Sequence, residues 1–290
     1  MVISMKKILF SILLLLFSFS YSNAGILAGG LADNSSAAAG FSWSTAKIAE
    51  YRFEDGALGT DSSGIGNNLT PAAGFTVNTT YYKQGSASAD VNQSTTGVAY
   101  LADGSLSAGF PGKSSGGNSN FLVMGWARPR EVTTGGSLVV KYYATDTYRS
   151  WEIFTSSAKC FKVYASDDGL SASINYAFTA ANGGLELSIN TWYHFAFWID
   201  ETIGQYGIII YEAVAGEKKY SADLPAAFES ELYDGGAYFG VGARYSGSVA
   251  NTSFDGNIDQ VVVYTWATGS GPTEAEIENQ VSAVRGGTAP

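Results

Sequence analysis

The punctuation between its apolar segments restricts this chain more than anything else in it. Short alternating stretches recur: "AKIAEYRFED" (46–55), "NFLVMGWARP" (120–129), "SLVVKYY" (137–143), "SWEIFT" (150–155) and "CFKVYA" (160–165). "INYAFTA" (174–180), "TWYHFAFWID" (191–200), "YGIIIYEA" (206–213), "AYFGVGA" (237–243) and "FDGNIDQVVVYTWA" (254–267) continue the series. Between them lie "ASDDG", "ANGG", "ETIG" and "YDGG", with Gly or Asn available for positive φ. Period-two segments separated by such turns predict an all-β antiparallel sandwich. Aromatic residues at 14%, charged residues at only 14% and 35 glycines agree with short strands rather than long amphipathic helices. One segment is helical: Pro272 opens it, Thr273 offers an N-cap with Glu276 three residues on, and Gly286 ends it.

Met1 to Ala24 has Lys6 and Lys7, a short apolar run, and small residues Ser22 and Ala24 before the next segment. That pattern predicts a cleaved secretory signal over 1–24. It implies a secreted, periplasmic or cell-envelope protein, with no membrane span left after cleavage. Residues 25–45 read as a flexible leader, 46–285 as one domain, and 286–290 as a tail. The net charge is −10, and loss of Lys6 and Lys7 makes the remainder more acidic still. Such a surface argues against nucleic acid and anionic membranes. The single cysteine, Cys160, rules out an internal disulfide and alternates like a packed strand residue. "PGKSSGGNSN" (111–120) contains Gly-Lys-Ser but lacks the full phosphate-loop pattern and a following helix.

In this order, several segments resemble the laminin-G-like, concanavalin A-like jelly-roll family. They are "YRFEDGALGTDSSGIGNNLTP" (51–71), "FLVMGWARP" (121–129), "NTWYHFAFWID" (190–200), "YFGVGARYSG" (238–247) and "FDGNIDQVVVYTWATGSGPTEAEI" (254–277). The sequence departs from that pattern at Trp198, Gln260 and Val262. The resemblance implies a two-sheet antiparallel jelly roll with a short C-terminal helix, its first and last strands adjacent. It implies little about function, because lectins, adhesion modules and hydrolases share that sandwich.

Retaining glycosidases on this fold need two carboxylates about 5–5.5 Å apart. No E-x-D-x-x-E motif is present, and "EAEIE" (274–278) lies in the expected helix, where it complements the helix dipole. The only histidine, His194, shares a strand face with Trp192, Ala196 and Trp198, which suits a packed imidazole better than a catalytic one. Catalysis therefore has no supporting motif, and a glycan-processing enzyme stands as an alternative, as does a structural or adhesive surface protein. One His and one Cys argue against zinc. Calcium has oxygen ligands to draw on: Asp55 and Asp259 by parity lean toward the core, the adjacency of first and last strands that the resemblance implies would bring them to one rim, and Asp61 lies in the "GTDSSGIGNN" turn. The alternative is that each Asp caps its own turn. A binding module for glycan or an extracellular protein is the main expectation. Its candidate contacts are Trp198 and Tyr264, whose parity opposes the core, with Tyr148, Trp151 and Tyr245 near loops.

Overall fold

A computed structural model describes residues 41–143, 148–226, 228 and 231–287. The signal peptide expected over 1–24 and most of the expected leader lie outside the described residues. The alternating segments form two antiparallel sheets, in which each strand satisfies its neighbour's backbone groups. In the eight-stranded sheet the order is Gly216–Asp223, Gln205–Glu212, Tyr193–Asp200, Asn120–Pro129, Gly256–Trp266, Ser88–Val91 and Phe75–Asn78. Lys47–Tyr51 joins it by pairing with the closing strand, Tyr51 against Val261. First and last strands are therefore adjacent. The seven-stranded sheet runs Ile174–Phe178, Cys160–Ala165, Arg149–Ser156, Gly136–Tyr142, Phe239–Val241, Ala99–Leu101 and Thr70–Pro71. A small hairpin, Arg244–Tyr245 against Ala250–Asn251, stands beside it.

Alternate side chains go to opposite faces of each sheet. Phe121, Val123, Phe195, Phe197, Val261 and Val263 meet Leu138, Ile153, Phe161, Val163 and Phe239 in the core between the sheets. The opposite face of the eight-stranded sheet is also covered. There Leu122, Met124, Trp198, Val262 and Tyr264 pack against Ile277, Val281 and Val284 of the C-terminal helix, Glu274–Arg285. This corrects the exposure expected of Trp198 and Tyr264, which are 1% and 0% exposed. The Tyr264 hydroxyl accepts from Gln280 Nε2 at 2.8 Å. The end of the expected leader is corrected as well. Phe41 and Trp43 are not free chain but pack edge-on against Trp266 and Tyr264, with centroids 5.7 and 5.1 Å apart.

The helix starts where its caps place it. Thr273 Oγ1 accepts from the Glu276 amide at 3.3 Å, and Glu276 Oε2 accepts from the Thr273 amide at 2.8 Å. Both ends of this capping box satisfy amides the first turn would otherwise leave unpaired. Thr273→Ala is expected to cost about 1 kcal/mol and Thr273→Ser almost nothing, read by thermal melting. No helix among the described residues is long and apolar enough to cross a membrane.

One irregularity moves a key residue. In the closing strand the register slips between Asp259 and Val262, with Gln260 at φ +48°. An extra residue in one strand of a pair shifts side-chain parity. Ile258 and Val261 both face the inner core, so Asp259 falls on the opposite face, across from Trp126. The core-side parity expected of Asp259 is thus corrected.

Candidate tyrosine cleft

The carboxylates expected to hold calcium do different things. Asp61 is saturated by backbone: Oδ1 accepts from the amides of Glu50 and Ser63, each at 2.9 Å. Its Oδ2 accepts from Gly66 at 3.1 Å and Asn67 at 2.8 Å. Asp259 Oδ2 accepts from the amides of Lys83 and Gln84, at 2.7 and 2.9 Å. Asp55 is exposed. Among the described residues no group of three or more His, Cys, Asp or Glu is placed to hold a metal ion. The three Asp residues are not brought into one ligand set. Asp61 thus caps its own turn, whereas Asp259 holds the amides of a segment distant in sequence. The acid nearest Asp259 in effect is Glu54, whose charge acts on it and whose carboxylate accepts from Ser86 N at 3.0 Å.

His194 is buried at the third strand of the row Asp259, Trp126, His194. Its ring meets Trp126 edge-on at 5.0 Å, and neither ring nitrogen has a hydrogen-bond partner among the described residues. Burial, reinforced by the Arg285 charge, lowers its pKa to about 3, so the imidazole is neutral.

Of the expected ligand contacts, Trp151 is a core residue with no exposure, its Nε1 donating to Pro111 O at 3.0 Å. Tyr148 and Tyr245, in contrast, line one cleft of about 530 Å³. Tyr148 precedes the strand Arg149–Ser156, and its carbonyl accepts from Tyr143 N at 2.9 Å. Tyr245 belongs to the small hairpin, whose turn is tied by Ser246 N to Val249 O at 3.0 Å and Val249 N to Ser246 Oγ at 3.1 Å. Gly247 sits in that turn at φ +94°, and a Cβ there would come within 2.9 Å of the Tyr238 hydroxyl. Glycine is therefore needed twice over, for conformation and for space.

The sequence did not single out Tyr143, Tyr238 or Tyr100. Tyr143 and Tyr238 line the cleft with Gly236, Ala237, Ser246, Ser248 and Val249. Tyr100 supports it from the next strand, stacking on Tyr245 at 4.0 Å while Tyr238 packs edge-on at 5.3 Å. The signal available was "KYY" closing one strand and "GGAYFG" opening another. The wall formed by Gly236 and Ala237 is held from behind. Lys141, fully buried, donates to Gly235 O at 2.6 Å and Ala237 O at 2.9 Å, and pairs with Asp103 at 2.8 Å. Among the described residues, none that lines the cleft is Asp, Glu, His, Cys, Lys or Arg. The cleft offers aromatic faces, hydroxyls and backbone groups, which suit stacking and hydrogen bonding rather than proton transfer.

Comparison with known proteins adds the family. No curated protein matches the chain. Among solved structures, the botulinum neurotoxin serotype D binding domain superposes with a TM-score of 0.54 at 14% identity, covering 83% of this chain and 52% of that one. The serotype G binding domain gives 0.51 at 13%, covering 82% and 50%. The neurotoxin DC binding domain in complex with rat synaptotagmin II gives 0.51 at 10%, covering 86% and 53%. The chain thus spans about half the length of these structures, and the likeness is one of fold. A family model, Laminin_G_3, described as the concanavalin A-like lectin/glucanases superfamily, matches residues 103–270. With that match over more than half of its length, the chain belongs to the concanavalin A-like lectin/glucanase superfamily.

Proposed function

We propose that the protein is an exported, non-catalytic binding module that takes a saccharide in the tyrosine cleft. The observation carrying this reading is the convergence of Tyr143, Tyr148, Tyr238 and Tyr245 on one concave surface, interspersed with serine and small residues. Sugar rings present apolar C–H faces that stack on aromatic rings, and hydroxyls that pair with Ser, Tyr and backbone groups. The fold's use as a binding domain in the neurotoxins supports binding and is silent on the ligand. Export rests on the charged and apolar pattern of the first 24 residues.

A glycan array followed by calorimetric titration tests the reading. Tyr148, 42% exposed, contributes little to the core, so Tyr148→Ala should keep the melting temperature while weakening binding about tenfold or more, as for a central aromatic contact. Tyr245→Ala should weaken binding similarly, with some loss of stability because its stack on Tyr100 goes too. Binding that survives both substitutions would remove the cleft from consideration.

A further inference from the structure

We infer that the ligand of the tyrosine cleft is an uncharged saccharide, and that the cleft selects against acidic glycans. The inference rests on the saccharide reading above and adds the ligand's charge class. Recognition of a carboxylate or sulfate in a concave site calls for a cation to pair with it, most often an arginine fork. Among the described residues, the cleft lining supplies none.

Among the described residues, three cations adjoin the cleft lining and are engaged elsewhere; Arg149, next to Tyr148, donates to Leu170 O. Lys141 lies behind the wall with no exposed surface, its ammonium divided between two wall carbonyls and Asp103. Arg244 precedes Tyr245 in sequence, yet its guanidinium is bound to the buried Glu152 through both Nε and Nη2, and lies 4.5 Å over the Tyr142 ring. Releasing either would strand a buried carboxylate. An acidic sugar would therefore lose hydration of its charge without gaining a counterion, against a chain whose net charge is −10.

A cationic ligand fits poorly for a different reason. Enclosure by aromatic faces is what favours a cation, but one face of Tyr245 is already taken by Tyr100, and Tyr238 meets it edge-on. Tyr245 thus has one ring face left for a ligand, with the Tyr238 ring perpendicular to it. A single ring face with hydroxyls around it suits the C–H face of a neutral sugar.

The experiment uses the full chain, as wild type and as Tyr148→Ala. It titrates each against neutral glycans (dextran, laminarin, mannan, galactan), acidic ones (alginate, polygalacturonate, chondroitin sulfate) and cationic chitosan, at low and high sodium chloride. The expected result is binding to at least one neutral glycan, with affinity changing less than twofold with salt. Acidic glycans and chitosan should bind at least tenfold more weakly, and Tyr148→Ala should weaken neutral binding about tenfold. Tightest binding to an acidic glycan or chitosan, lost with salt and with Tyr148→Ala, would overturn the charge inference and leave the cleft reading standing. No binding to any of these glycans, or binding that Tyr148→Ala leaves intact, would overturn both.

Discussion

Replacing Lys141 with methionine is expected to cost about 3–5 kcal/mol of stability, as removal of one partner from a buried ion pair does. Methionine keeps most of the stem's volume, so the loss comes from the ammonium. Three acceptors lose a donor at once: Gly235 O, Ala237 O and Asp103 Oδ1, which keeps only the Ser114 amide. Burial would raise the Asp103 carboxyl, but Lys141 and the hydrogen bonds from Ser114 outweigh it and hold the group below the usual carboxylate range. Without Lys141, the same burial works against an ionised Asp103. For a domain of this size the loss corresponds to a fall in melting temperature of roughly 10 °C. A double variant, Lys141→Met with Asp103→Leu, should recover part of it, because no lone charge then remains buried. The cleft reports separately: with its wall untied, Lys141→Met should bind saccharide more weakly than its remaining folded fraction accounts for. An unchanged melting temperature in Lys141→Met would show that the pair does not matter.

The fold was legible because its signals are local. Alternation marks strands, Gly and Asn mark turns, and Thr273 with Glu276 marks the start of the C-terminal helix. Parity separated the two faces at Trp198 and Tyr264 correctly but says nothing about what lies above a face. A helix returning from 274–285 covers both residues, and that contact is set by tertiary packing. The misplacement of Asp259 has a smaller cause. One residue, Gln260, adopts positive φ, and a single bulge reverses the face of everything before it. The cleft was half legible. Tyr148 and Tyr245 stand out as aromatics beside turns, whereas Tyr100, Tyr143 and Tyr238 come together only because Phe239–Val241 lies between Ala99–Leu101 and Gly136–Tyr142 in the sheet. No window of sequence contains that neighbourhood.

Asp259→Asn and His194→Gln are expected to tilt the pH dependence of stability in opposite directions. Asp259 is wholly buried, with Oδ1 unpartnered among the described residues. Burial, opposed by the Lys83 and Gln84 amides and aided by the Glu54 charge, pushes its pKa up to about 7. An unfolded aspartate titrates near 3.9. Between roughly pH 4 and 7 the folded state therefore binds this proton more tightly, so stability is fully present at the acid end and falls as pH rises. His194 runs the other way. Its folded pKa of about 3 lies below the unfolded value near 6.5, so over roughly pH 3 to 6.5 the unfolded state takes the proton and stability rises with pH. Each shift is on the order of 4 kcal/mol across its window, and in the wild type the two largely offset one another. Asp259→Asn removes the falling contribution and should leave stability climbing between pH 4.5 and 6.5. His194→Gln removes the rising one and should leave it declining. Urea unfolding of both variants across that range is the measurement, and their difference cancels every other titrating group. Parallel profiles would mean that the two buried groups titrate in the folded protein as they do in the unfolded chain.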